Sequence, residues 1–186
     1  MIHLPLLRKG EAYVSLDTAK VPHYRTGEPV AELSLANPGL IRRDMAAESQ
    51  KAMSDALRSI PVKDLVAMSA KAAELFMTAS LPCGDTTQGV EDYVKATSGT
   101  TGLPFALVRR NMTKISGVMG NVSDILKGLM RGLPLDVLDT GVSTAAGSAV
   151  SFTARGSSLG VVLPSNSPGV HSLWAPSIAL KTPLIL

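Results

Sequence analysis

The sequence has a single cysteine, Cys83, so it can form no internal disulfide and suits a reducing compartment. Aromatic residues are also scarce, at 4%. The net charge is only +3, with basic and acidic residues interspersed and the Arg42-Arg43 and Arg109-Arg110 doublets isolated. A nucleic-acid surface needs a denser basic stripe than this, so no nucleic-acid partner is expected. No window approaches the ~18 uninterrupted apolar residues of a membrane span, and the apolar run at the start is too short for a secretory signal. His3 and His23 lack metal-ligand spacing. These absences point to a cytoplasmic protein with no membrane partner and no metal site.

What is present is ordinary for a globular chain: 45% apolar and 18% charged residues over 186 positions, enough for one domain or slightly more. The most organised stretch is the last. Leu159, Val161, Val162 and Leu163 form a short apolar run that reads as a buried strand, broken by the turn formers Pro164-Ser165-Asn166-Ser167-Pro168. Apolar residues then recur through 170–180 as in a helix, Lys181-Thr182-Pro183 stops it, and Leu184-Ile185-Leu186 begins a second apolar run. Strand, turn, helix, strand in that compass is the βαβ unit of a parallel sheet. In open α/β sheets ligands bind past the carboxyl ends of strands, here the 164–169 loop. A parallel sheet also needs further strands, so the chain is expected to be the front part of a longer protein.

Earlier elements are read from local signals. Residues 1–20 are expected to be an irregular or extended arm, and 21–25 with 29–33 a hairpin around Thr26-Gly27-Glu28, with Pro29 suggesting an edge strand. Asn37-Pro38-Gly39 reads as a turn, and Asp44 as the cap of a helix to about Ser59 with Met45, Ala52, Met53, Ala56 and Leu57 inward. A helix follows Pro61 with Leu65, Met68, Ala72 and Phe76 inward. Leu81-Pro82-Cys83-Gly84-Asp85 ends it. A short helix is expected over 90–96, a longer one over 103–130 weakened by Gly117, Gly120 and Gly128, a loop over 131–148, and a strand over 149–153.

The run Leu159-Gly160-Val161-Val162-Leu163-Pro164-Ser165-Asn166-Ser167-Pro168, with Trp174 and Ala179-Leu180 after it, resembles the aldehyde dehydrogenase superfamily. That family has an apolar strand, Pro-Trp-Asn-Phe-Pro, a helix carrying a Trp, and a strand leading to a cofactor-binding Lys. Thr26-Gly27-Glu28 entering Pro29-Val30-Ala31-Glu32 looks like the family's early hairpin, and the order of elements matches along most of the chain. The resemblance implies an α/β fold: an N-terminal hairpin and helical region (1–148) packing on the cofactor domain, then the start of a Rossmann-like NAD(P)-binding domain (149–186). It implies an aldehyde or acyl substrate, NAD or NADP as cofactor, and a homo-oligomer when full length.

In that family a cysteine thiolate attacks the aldehyde carbonyl, hydride passes to NAD(P), and a glutamate activates water to release the acid. The oxyanion formed on attack needs donors aimed at it. Asn166 matches the family's donor; taken alone it is equally a turn residue tolerant of left-handed angles, and flanking Pro164 and Pro168 with Trp174 in register favour the catalytic role. Val162, Leu163, Pro164 and Ser165 match the segment beside the nicotinamide ribose. Ser167, Val170, His171 and Trp174 match the substrate lining; a core Trp174 and a surface His171 are the plainer alternative. Ser165 and Ser167 depart from the family's Trp and Phe, so the acyl pocket is reshaped.

Two features compete. Thr97-Ser98-Gly99-Thr100-Thr101-Gly102-Leu103-Pro104 resembles the phosphate loop of adenylate-forming ligases, but Phe105 stands where that family has a Lys, and a turn between helices explains the stretch as well. Cys83 sits in a turn without a neighbouring histidine, and the family's nucleophile lies far downstream of the βαβ unit, so Cys83 is expected to be inert. The alternatives to an aldehyde dehydrogenase are an acyl-CoA reductase of the same superfamily, an adenylating ligase, and a non-enzymatic binding module with an open sheet edge.

Overall fold

Local signals explain most element boundaries in the computed structural model, which describes residues 1–164 and 168–186, with the backbone alone at 47–49. The chain begins with β1 (Ile2–Leu4), β2 (Leu6–Arg8), β3 (Glu11–Tyr13), β4 (Thr18–Pro22) and β5 (Pro29–Ser34). Helices α1 (Pro38–Asp44), α2 (Ala47–Arg58) and α3 (Val62–Thr78) precede the hairpin β6 (Leu81–Cys83) and β7 (Thr86–Gln88). Then come α4 (Val90–Thr101), α5 (Phe105–Gly120), α6 (Val122–Leu129) and α7 (Val137–Thr140). The last part holds β8 (Val142–Ala145), β9 (Ser148–Ser151), β10 (Leu159–Gly160), α8 (His171–Trp174), α9 (Pro176–Ala179) and β11 (Leu184–Ile185). The class is mixed α/β with small sheets.

One compact unit is built mainly from Met1–Ala46 and Leu75–Thr113. Its largest sheet has the order β1-β5-β4, with β4 antiparallel and β1 parallel to β5. The expected hairpin forms, and Gly27 N–H donates to His23 O at 2.9 Å to close it. Its second strand is central, contrary to the edge position that Pro29 suggested. Pro29 is tolerated because β1 pairs only with Ala31, Glu32 and Leu33, so the missing N–H falls outside that ladder. The expected arm over 1–20 is a set of strands of three to five residues, most too short to show a period; β2 and β3 pair across Lys9-Gly10, both with positive φ (54° and 84°).

Asn37-Pro38-Gly39 opens a helix where a turn was expected. The Asn37 carboxamide oxygen accepts from Leu40 N–H at 2.9 Å, and Pro38 takes the first helical position, where its missing donor costs nothing. Asp44 ends that helix and caps no later one; its carboxylate accepts two bonds from Arg8 at 2.6 Å. Leu81 to Gln88 is a hairpin that the sequence reading left as a stop. The core of this unit is Val94, Val108 and Met112, all at most 1% exposed, with Phe76, Tyr93 and Leu103 against it. Burying such side chains contributes on the order of 2 kcal/mol each.

The phosphate-loop resemblance dissolves here. Thr97 to Thr101 is the last turn of α4, and Gly102 (φ 76°) is its left-handed cap. The Thr100 and Thr101 hydroxyls donate back to Ala96 O and Thr97 O at 3.0 and 2.6 Å, so they serve the helix and cradle nothing.

The other compact unit comprises Ala47–Glu74, Lys114–Pro164 and Gly169–Leu186, so the boundary expected at 148/149 falls within it. Its core is Val62, Leu65, Val122, Leu126 and Ala179, with Leu57, Ile60, Leu135 and Leu180 packed on it. In α3 the buried residues are Val62, Leu65 and Ala73, while Met68, expected inward, is 56% exposed. Small residues explain the shift: Ser69 Oγ donates to Met119 O at 2.8 Å and Ser116 Oγ to Ala73 O at 3.2 Å, a close approach that Met68 would obstruct. In α2, Ala52 and Ala56 are exposed, as is Met45 before it, while Met53 and Leu57 are half-buried. The single helix expected over 103–130 divides at Gly120-Asn121, where Asn121 Nδ2 donates to Gly117 O at 2.7 Å.

Strand β9 lies on the strand expected over 149–153, and β8, within the stretch expected to be mostly loop, pairs with it in a hairpin turning on Ala146-Gly147, both of positive φ. Strands β10 and β11 pair in parallel, Leu159 with Leu184 and Gly160 with Ile185. The expected strand over 159–163 is therefore short: Val161 N–H still donates to Ile185 O at 2.8 Å, but Val162 is 99% exposed. A ladder extends only as far as its partner. The expected helix over 170–180 is a 3₁₀ turn (Pro168–Val170) followed by α8 and α9, divided because Pro176 has no N–H to continue α8.

Candidate functional site

The geometry to be tested is the carboxyl end of β10 and the helical segment that follows. Asn166, Ser165 and Ser167 lie outside the described residues. Val162, Leu163 and Pro164 are exposed directly beyond β10, and their backbone makes no hydrogen bond within the described residues.

Val170 stands at the amino end of α8 and is half-buried. His171 and Trp174 come together, ring centroids 5.7 Å apart and planes at 88°, an edge-to-face contact within one helical turn. Burial lowers the His171 pKa below the usual imidazole value, because desolvation disfavours the charged ring. Local bonds hold this turn in shape: Ser172 Oγ donates to Gly169 O at 2.9 Å and Ser177 Oγ to Trp174 O at 2.6 Å. The Trp174 indole N–H is buried and finds no acceptor among the described residues. A buried donor costs free energy until an acceptor reaches it.

Cys83 lies partly buried in β6, beside a cavity of about 150 Å³ lined by Phe76, Leu81, Val90 and Tyr93 among others. No histidine or cation lines that cavity to favour a thiolate, in keeping with an inert side chain. Among the described residues no group of three or more His, Cys, Asp or Glu could hold a metal ion. Among the described residues no helix is long and apolar enough to cross a membrane.

One polar feature escaped the sequence reading. Lys181, read only as a helix stop, is 7% exposed and pairs with Asp139 at 2.5 Å. Its ammonium also donates to the carbonyls of Arg58 (3.3 Å) and Ile60 (2.8 Å), closing the end of α2. Asp139 accepts from Val62 N–H at 3.0 Å, closing the start of α3. The Lys181 side chain is buried and that of Asp139 is partly exposed, and the lysine is tolerable there because its ammonium is so bonded. The only sequence signal was a Lys directly after a helix, which names no partner. The chain matches no protein-family model and no curated protein.

Proposed function

We propose that the chain is the N-terminal part of an NAD(P)-dependent aldehyde dehydrogenase-like oxidoreductase that oxidises an aldehyde to a carboxylic acid. The observation that carries this reading is the parallel β10–β11 pair joined through α8 and α9; Asn166 follows β10 in sequence and lies outside the described residues. This pair supports a Rossmann-like sheet begun here and completed by further strands.

The chemistry assigned to this chain is positioning and charge stabilisation. The Asn166 amide donates to the carbonyl oxygen as it becomes negative, and being uncharged it does not capture the attacking thiolate. His171, edge-on to Trp174, forms a wall, while Ser165 and Ser167 leave room where the family has aromatic rings. The backbone of Val162, Leu163 and Pro164, with Ser165, is the support for NAD(P), which supplies the hydride acceptor. The nucleophilic cysteine and the base belong to parts of the family's chain beyond the resemblance, so these residues alone are inactive. The same substitutions favour an acyl-CoA reductase as the second reading, because loss of aromatic walls suits a bulkier acyl donor.

The test is the coding sequence after Leu186 together with one variant. A Lys should follow almost at once, then a glycine-containing nucleotide turn, a Glu and a reactive Cys. In that full-length enzyme Asn166→Ala should slow acylation by about a hundredfold or more, read as burst-phase kinetics. An unchanged rate rejects the role of Asn166, and a continuation without the Cys rejects the reaction.

A further inference from the structure

The loop 153–158 of the second unit carries a run of unpaired donors. It joins β9 to β10, and none of its backbone N–H groups has a hydrogen-bond acceptor within the described residues. Its one side-chain anchor is Ser157 Oγ, which donates to Gln50 Oε1 on α2. Facing the loop is a stripe of α2 spaced by single turns, Gln50, Ser54 and Arg58 with Lys51 and Asp55 beside them. Between loop and helix runs a cleft of about 530 Å³, and Arg58 and Ala154 also line an adjoining cleft of about 550 Å³ that reaches Asp139, Lys181 and Thr182.

The charges of this double cleft do not cancel. Two carboxylates line it, Asp55 and Asp139, and each is paired with a lysine: Lys51 with Asp55, Lys181 with Asp139. The guanidinium groups of Arg58 and Arg155 have no acceptor among the described residues. The surplus is thus two forked cations beside a run of free amides that includes Gly156, with no unpaired carboxylate lining the cleft. Guanidinium forks and successive amide donors are the groups that bind phosphate oxygens best.

We infer that this cleft binds a phosphate-bearing small molecule, held by Arg58, Arg155 and the amides of 153–158. The inference stands apart from the dehydrogenase reading: the loop enters β10, and Lys181-Thr182 enters β11, at their amino ends, opposite to the Asn166 loop. Each cleft has the volume of a site for a ligand of drug size.

The experiment is titration of the full chain with pyrophosphate at constant ionic strength, followed by amide NMR shifts and calorimetry. Saturable binding should move the 153–158 amides most. Arg58→Gln and Arg155→Gln should each weaken it about tenfold, as expected for loss of one charge-assisted bond. Lys127→Gln, a surface lysine outside the cleft, should leave it unchanged. Shifts spread evenly over surface lysines, or equal affinity in the Arg58→Gln/Arg155→Gln double variant with unchanged circular dichroism, overturn the site.

Discussion

Among the described residues there are two parallel strand pairs, and they are stabilised in different ways. Strands β1 and β5 pair over three residues within a sheet that also holds β4. Strand β1 is fastened from several directions: His3 ring nitrogens reach Glu32 (3.3 Å) and Ser34 (3.0 Å), and the β6–β7 turn presses on the His3 carbonyl. Strands β10 and β11 pair over two residues, with no third strand beside them among the described residues. They depend instead on Ala179 of the intervening helix, which packs in the same core as Val122 and Leu126. A parallel ladder closes a long loop for few hydrogen bonds, so it persists only where other contacts offset that entropy. In one pair the contacts are a neighbouring strand and side-chain bonds; in the other they are helical packing.

Breaking the helical packing should have the larger effect. Leu126→Ala, at a fully buried site, should cost about 3 kcal/mol and speed hydrogen exchange at the Leu159 and Val161 amides, which donate to Pro183 O and Ile185 O. Exchange at those amides unchanged by Leu126→Ala would mean that the pair does not depend on that core. On the other side of the comparison, Gly84→Ala attacks β1. Gly84 has φ 60°, and a Cβ there would come within 1.8 Å of His3 O, so the variant should cost about 2 kcal/mol by urea denaturation and loosen the Ile2–Leu4 amides.

The smallest effect is electrostatic. Hydrogen bonding from Arg8 holds the Asp44 carboxyl below its ordinary pKa. The folded state therefore prefers the carboxylate. The stabilisation is complete above the ordinary carboxylate pKa and is lost as pH falls through the lowered value. Asp44→Asn should flatten this acid limb in pH-dependent melting curves; an identical limb in the variant removes the pair from the account of the β2 region. Both groups are near solvent, so the effect should shrink with added salt.

Elements specified by neighbouring residues were legible in the sequence. The Thr26-Gly27-Glu28 hairpin, the helix after Pro61 and the order strand, turn, helix, strand at the end all rest on turn chemistry and short-range spacing. The errors arose where long-range partners decide. Pro29 entered a central strand because β1 stops short of it, and Met68 turned outward because Ser69 and Ala73 lie against α5. The candidate site divides likewise. Asn166 was singled out by resemblance and lies outside the described residues, whereas the Lys181–Asp139 pair and the cleft of Arg58 and Arg155 join residues far apart in the chain, which no local pattern announces.

By itself the sequence determined where the backbone turns, caps and breaks, since Gly, Pro and Asn act on dihedral angles within a few residues. Tertiary structure alone decided which face of α3 is buried, how far β10 extends, and which charges meet, because each depends on atoms that folding brings from elsewhere in the chain.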